Sequence, residues 1–217
     1  MRKRRGSLFV ILMVLVFPLD LKGQAQCSQA PKKVEEVLEV RGMPVVFVEN
    51  VVPGSVAAAA GISRFDLIVG FNGQDMRRFP TSESFLAELR IAAITDRADM
   101  EVLKYDASTG TYSLSRIIVT LAGSTEHYLG LRSSFAYVVA EVAGGGMAEK
   151  MGLTPGDFIE EVDGKQVANL RGPHDLDIIF QDIAARPGKQ FTLTSARWTP
   201  TEDGGRKGKT RKLKGSF

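Results

Sequence analysis

A stretch of the chain that occurs twice, 91 residues apart, limits the possible folds more than any other feature. Residues 52–73 align with residues 143–164 without a gap. The matched positions are Gly54 and Gly145, Ala57 and Ala148, Gly61 and Gly152, Asp66 and Asp157, Ile68 and Ile159, and Gly73 and Gly164. A repeat of this length predicts one small domain copied in tandem rather than a short-period solenoid.

Each copy contains the same series of local signals. A Gly-rich turn precedes a short helix with small apolar residues on one side, and Gly61 or Gly152 follows where a helix end favours a left-handed residue. An aspartate and a short apolar strand come next. The copies end at Asn72-Gly73 and Asp163-Gly164, dipeptides that favour tight turns because both residues accept positive φ.

This combination resembles the PDZ domains of bacterial periplasmic proteins, above all those of HtrA-type serine proteases. The second copy has the Gly156-Asp157 pair of that pattern, whereas the first has Phe65-Asp66. The resemblance implies a mixed α+β fold with two PDZ-like domains. Each would be a small, partly open β-barrel or sandwich of about five to six strands with two helices.

The resemblance and the composition of the N-terminus together set the expected organisation of the chain. The expected segments are a signal peptide at 1–25, a linker at 26–36, a first PDZ domain at 37–121, a short linker at 122–127 and a second PDZ domain at 128–217. Each domain is expected to open with two strands, at 37–40 and 45–52 in the first and at 128–131 and 136–142 in the second. Helices are predicted to start near Ser82 and Pro173.

The N-terminus indicates export to a periplasmic or extracellular location. A basic start is followed by an apolar run from Leu8 to Leu19, which is shorter than the roughly 20 residues of a membrane span. An uncleaved membrane anchor is the alternative. Cys27 is the only cysteine and excludes an internal disulfide. A lipid on Cys27 would be a second route to the membrane, but Gln26 stands where a lipoprotein signal favours a small residue.

Charge gives no indication of nucleic-acid binding. The chain has 28 basic and 25 acidic residues, and removal of residues 1–25 leaves 23 basic and 24 acidic ones. The basic character therefore belongs largely to the leader. A cationic C-terminal group remains, and a solvated edge strand explains it more simply than an anionic partner does. It comprises Arg206, Lys207, Lys209, Arg211, Lys212 and Lys214.

The resemblance implies a peptide-binding site, because PDZ domains add an extended ligand to a strand edge beside a helix. In the second copy the ligand carboxylate would lie on the loop Tyr128-Leu129-Gly130-Leu131, and the next strand, with Tyr137 and Val138, would pair with the peptide. His174 and Ile178, one helical turn apart, would face it. An exposed helix-start residue is the alternative role for His174.

The first copy differs at the position of the carboxylate loop. Leu38 and Val40 correspond to Leu129 and Leu131, but Glu39 replaces Gly130 and brings a negative charge to that position. Phe47 and Phe85 complete its candidate residues. The second copy is therefore expected to bind C-termini better, and the first to bind internal segments or to serve assembly.

No catalytic, metal or cofactor site is predicted. The chain contains two histidines and no HExxH, GxSxG or GNSGGP-like segment, so we expect no protease domain in it. We expect a non-catalytic adaptor that binds C-termini or extended segments of other proteins. The alternatives are a regulatory subunit or degenerate relative of an HtrA-type protease, acting with a separate protease or envelope complex, and a PDZ-bearing component of a secretion system.

Overall fold

Helices and strands follow the same order in two halves of the chain. The computed structural model describes residues 33–106, 108–109, 111–121, 129–200 and 206–216. The first half contains α1 (Val34–Leu38), β1 (Val40–Val51), α2 (Val56–Ala59), β2 (Leu67–Phe71), β3 (Gln74–Asp75), α3 (Ser82–Ile94), β4 (Arg97–Asp106) and β5 (Thr111–Thr120). The second half contains β6 (Leu131–Val142), α4 (Met147–Met151), β7 (Phe158–Val162), β8 (Lys165–Gln166), α5 (Pro173–Ala184), β9 (Gln190–Pro200) and β10 (Arg206–Ser216).

The offset of 91 residues holds for the structure as well as the sequence. β1, β2 and β3 start 91 residues before β6, β7 and β8, and α3 starts 91 residues before α5. The mixed α+β class is therefore confirmed, with strands that pair in antiparallel fashion. The predicted leader, Cys27 and Tyr128 lie outside the described residues.

One continuous sheet runs through both halves. Its strand order is β10-β9-β7-β6-β1-β2-β4-β5, with β3 beside β2 and β8 beside β7. The central ladder joins β1 and β6, from the pair Val40 and Val142 to the pair Val51 and Leu131. Because the sheet has no break between the halves, the division into two domains stays a prediction.

The segments that precede β1 and β6 are exchanged between the halves. Val34, Val37 and Leu38 of α1 are buried among second-half residues, including Leu176 and Phe180 of α5. Conversely, Leu129 packs among first-half residues such as Ile68, Phe85 and Leu89. A third apolar cluster, with Phe47, Leu67, Val138 and Phe158, lies on the central strands. Each half therefore completes the core of the other.

The prediction of two opening strands in each half is wrong. Residues 34–38 form a helix, and β1 continues through Arg41 and Gly42 with a shift of register against β6 between them. Likewise, β6 runs unbroken from Leu131 to Val142. The physical reason is the ladder: β1 and β6 pair from end to end with two register shifts, whereas a hairpin in each half would pair only within itself.

Other local predictions are confirmed. Gly61 and Gly152 have φ values of 80° and 87° after their helices, and Asn72 and Asp163 have positive φ at the predicted turns. The helix predicted near Pro173 begins at that residue. Among the described residues, none of the helices has the length and apolar character required to traverse a lipid bilayer.

Candidate functional site

An apolar cavity of about 300 Å³ lies beside α3. We call it the α3 cleft. Its walls come from both halves of the chain: α3 and the turn before it from the first half, and the start of β6 and the turn before α5 from the second. The side chains that line it include Met76, Phe79, Phe85, Leu86, Leu89, Leu129, Leu131, Ser133, Phe135 and Leu170.

Local capping places α3 at the side of the cleft. The Thr81 hydroxyl accepts the N–H of Ser84 at 3.3 Å, and the Ser84 hydroxyl accepts the N–H of Thr81 at 3.2 Å. This reciprocal capping fixes where the helix begins. The N–H of Ser82 also donates to the carbonyl of Arg171 at 2.5 Å, which ties the start of α3 to the second half.

The first part of β6 presents a strand edge next to the cleft. Among the described strands, β6 pairs with β1 along its whole length but with β7 only at Tyr137 and Val138. Val139 donates to Asp157 and accepts from Gly156 on the side away from β1. Since backbone groups alternate between the two sides of a strand, Ser133 and Phe135 direct their N–H and C=O groups to the same side, where no described strand pairs with them.

The corresponding cleft beside α5 is filled by the chain itself. We call it the α5 cleft, and α1 occupies it with Val34, Val37 and Leu38 against Leu176, Ile179, Phe180 and Ile183. The N–H of Val34 donates to Asp177 Oδ1 at 3.1 Å. A smaller cavity of about 210 Å³ remains, lined in part by Glu35, Arg77, Tyr137 and His174.

Burial in the α5 cleft raises the pKa values of two groups, Tyr137 and Asp177. Burial is the largest cause that raises the pKa of Tyr137 above its ordinary value, followed by the negative charge of Glu35. Burial also raises the pKa of Asp177, although the N–H of Val34 acts in the opposite direction. The cleft is therefore a poor environment for a negative charge that has no hydrogen-bond donor.

The two loops that correspond to the expected carboxylate loop are both packed against helix starts. Gly130, with φ of 74°, lies against Ser55, whose hydroxyl accepts the N–H of Ala58 at 3.2 Å. Glu39, with φ of 56°, occupies the equivalent place in the first half. Its carboxylate accepts the N–H of Met147 at 2.9 Å. The charge of Glu39 therefore faces the start of α4.

Eight of the twelve candidate residues named from the sequence fall into three places. Leu129, Leu131 and Phe85 come together at the α3 cleft. Leu38, Val40 and Tyr137 are buried in the core around α5. Phe47 and Val138 are buried on the central strands. His174 is exposed at the α5 cleft, and its N–H donates to the carbonyl of Pro80 at 3.4 Å. Ile178 is exposed, and Gly130 is buried.

Several residues of the α3 cleft were not among those candidates. Phe79, Leu86 and Leu89 come from the first half, whereas Ser133 and Phe135 come from β6. The helical spacing of Phe85 and Leu89 indicates a shared face. No local sequence pattern indicates that this face of α3 lies beside β6 rather than beside β1.

The second half matches a known domain family. Residues 138–197 match the family model described as a PDZ domain. This match covers α4, β7, β8, α5, the last five residues of β6 and most of β9. A PDZ domain is a protein-binding module, so the match supports a binding role for this part of the chain.

One curated relative is similar to this chain over more residues than the PDZ match covers. It is a protein of Neisseria meningitidis serogroup A / serotype 4A that bears the name "Putative zinc metalloprotease". The identity is 28% over 161 residues, which is 70% of this chain and 33% of the relative. This chain thus spans about a third of that relative's length. Within the described part of this chain, no group of three or more His, Cys, Asp or Glu side chains is placed to bind a metal ion.

Proposed function

We propose that this chain is a non-catalytic, exported adaptor built from two PDZ domains, and that it binds C-termini or extended segments of other proteins in the α3 cleft. The unpaired edge of β6 beside the cavity is the observation that carries this proposal. A peptide that pairs with Ser133 and Phe135 would place alternate side chains against Phe79, Phe85 and Leu89. The PDZ match, over residues 138–197, supports a protein-binding role for the second half, but it does not include α3, Ser133 or Phe135.

This proposal assigns the site to both halves jointly. The edge strand belongs to the second half and the helix to the first. By contrast, the α5 cleft, which contains His174, is occupied by α1. We therefore place the peptide beside α3 rather than beside α5.

Binding of a fluorescent peptide rich in Val, Leu and Phe tests the site. Leu86 lines the α3 cleft and is 48% exposed, so Leu86→Asp adds a charge to the cleft at little cost to folding. The matched control is Ile94→Asp, on the same helix but 82% exposed and outside the lining. We expect Leu86→Asp to weaken binding at least tenfold, about 1.4 kcal/mol, and Ile94→Asp to leave it unchanged. Equal affinities would exclude the α3 cleft as the site.

Backbone methylation of the peptide tests strand addition itself. In a ladder only alternate amides of the ligand donate to the edge strand. One series of N-methylated peptides should therefore lose binding, while the series shifted by one residue keeps it. If both series bind equally well, the peptide is held by its side chains alone.

A role beside a separate protease is the second candidate, and the curated relative is the observation that favours it. In this case the α3 cleft would hold a segment of the catalytic chain or of its substrate. Co-purification of a protease with the unmodified chain and with Ile94→Asp, but not with Leu86→Asp, is the expected result. Co-purification that is insensitive to Leu86→Asp would place the contact elsewhere.

A further inference from the structure

The α5 cleft holds a short segment whose side chains and backbone are both recognised. We propose that this cleft is a second interaction surface, specific for short acidic amphipathic segments, and that α1 is its tethered ligand. This inference rests on the contacts of α1. It stands independently of peptide binding in the α3 cleft.

Apolar side chains hold α1 in the cleft. Val34, Val37 and Leu38 are 2%, 3% and 0% exposed. Their spacing of three and four residues places them on one helical face, which packs against Leu176 and Phe180. The cleft thus accepts a Val-x-x-Val-Leu pattern.

Polar groups at the rim select for an acidic segment. Arg77 Nη2 lies 3.2 Å from Glu35 Oε1, and the same guanidinium donates to the carbonyl of Gly42. Asp177 accepts the first amide of α1. Arg77 Nη1 also lies 3.5 Å from Asp75 Oδ2, and the contacts with Asp75 and β1 hold the guanidinium in place beside Glu35.

The α3 cleft lacks these rim groups. At the offset of 91 residues, Leu86 stands in place of Asp177 and Ala168 in place of Arg77. Both residues line the α3 cleft. Neither side chain can bind an amide N–H or a carboxylate, so a segment like α1 has matching partners only at the α5 cleft.

The helix α1 can detach from the α5 cleft as a unit, because a single residue joins it to the sheet. The helix has five residues, and no side chain of its N-cap residue Lys33 caps it. An isolated helix of this length is unstable in water. A single left-handed residue, Glu39, connects it to β1. Opening at Glu39 would release α1 while the ladder between β1 and β6 stays intact, which is a local unfolding event.

A labelled peptide of residues 33–39 (KVEEVLE) tests the surface in the full-length chain. Val34→Asp weakens the attachment of α1 and should open the cleft, whereas Val52→Asp changes a partly exposed valine outside it. We expect the Val34→Asp chain to bind the peptide at least tenfold more tightly than the unmodified and Val52→Asp chains. A peptide with Val37→Asp should not bind. Equal affinity of the three chains for the KVEEVLE peptide would overturn the proposal.

Hydrogen exchange in the unmodified chain tests the same inference without a substitution. Amides of Val37 and Leu38 should exchange at least tenfold faster than those of β1 and β6, and excess KVEEVLE peptide should not slow the amides of α3. Exchange of α1 at the same rate as the central ladder would overturn the proposal, because α1 would then leave only with the whole fold. This measurement stands even if Val34→Asp prevents folding.

Discussion

At two sites related by the repeat, a side chain caps a helix start and a glycine leaves the space for it, but the two roles are interchanged between the sites. At the first, Gly130 leaves room for the Ser55 side chain that caps α2. At the second, Glu39 supplies the side chain that caps α4, and Gly146 leaves room for it. Each site therefore contains one glycine and one capping side chain. The difference between Gly130 and Glu39 is a difference in helix capping between the halves.

Substitution of Gly130 should show this steric coupling. A Cβ at Gly130 would overlap Ser55, whereas a Cβ at Gly145, which has a similar φ of 77°, would meet nothing within 4 Å. We expect Gly145→Ala to lower the free energy of unfolding by about 1–2 kcal/mol through backbone strain alone. Gly130→Ala should cost about 1–3 kcal/mol more. Urea denaturation measures both values.

A double substitution provides the decisive comparison for Gly130. Replacing Ser55 by glycine removes the overlapping side chain, so Gly130→Ala should cost less in a Ser55→Gly chain than in the unmodified chain. Additive effects of the two changes would show that the positions do not interact.

Removal of the Glu39 carboxylate should destabilise the start of α4. We expect Glu39→Ala to lower the free energy of unfolding by about 0.5–2 kcal/mol, the usual effect of losing a helix cap. Glu36→Ala, at an exposed position of α1, is the control and should change it by less than about 0.5 kcal/mol. A similar effect of both substitutions would remove the assigned role of Glu39.

Among single residues, the backbone conformation of the turn residues was the easiest to predict from the sequence. Asn72-Gly73 and Asp163-Gly164 indicate positive φ through their own chemistry, and the structure has it. The left-handed φ of Glu39 could not be predicted in this way, because the carboxylate is held by Met147 of the other half. A contact so distant in sequence leaves no local pattern.

At the scale of elements, the contact of α1 with α5 should depend on pH. The pKa of Asp177 is raised above the usual 3.8, so the folded chain holds this proton at pH values where the unfolded chain has lost it. Stability from this group is therefore lost as the pH rises above 3.8 and through the raised value. Asp177→Asn keeps an oxygen that accepts the N–H of Val34 and removes the charge.

The expected result is a stability difference that changes with pH. The melting temperature of Asp177→Asn relative to the unmodified chain should increase between about pH 3 and pH 7. Asp182→Asn, at an exposed position of α5, is the control and should show a much smaller change. A constant difference for Asp177→Asn over this range would contradict the assigned burial of Asp177.

Helices were easier to predict than strand connections. The apolar spacing of Leu176, Ile179 and Phe180 indicates α5 directly. For β6, the alternation of residues is the same whether the chain turns back near Ser133 or continues straight. Only the presence of β1 as a partner of equal length decides between the two, and that partner is 91 residues away.

At the scale of the whole molecule, apart from the local opening of α1, the packing of each half against the other should make global unfolding a single event. Leu129 packs in the first-half core and Val40 in the second-half core. We expect Leu129→Ala to cost about 2–5 kcal/mol. Val40→Ala should cost less because fewer atoms are removed. Both should shift one common transition in calorimetry.

Separate melting of the halves is the outcome that would contradict this expectation. If the halves unfolded independently, Leu129→Ala would move one transition and leave another in place. Thr120→Ala, at an exposed position of β5, serves as the control and should leave the transition nearly unchanged.

Because α1 packs in the core of the second half, it is synthesised long before its partners. Val34, Val37 and Leu38 emerge early, but their partners Phe191 and Leu193 are made about 155 residues later. At about 5–20 residues per second, these apolar side chains wait roughly 8–30 s before their core is complete. The earliest part of the core is thus the last to be enclosed, and during that interval the nascent chain offers a short apolar segment to any chaperone nearby.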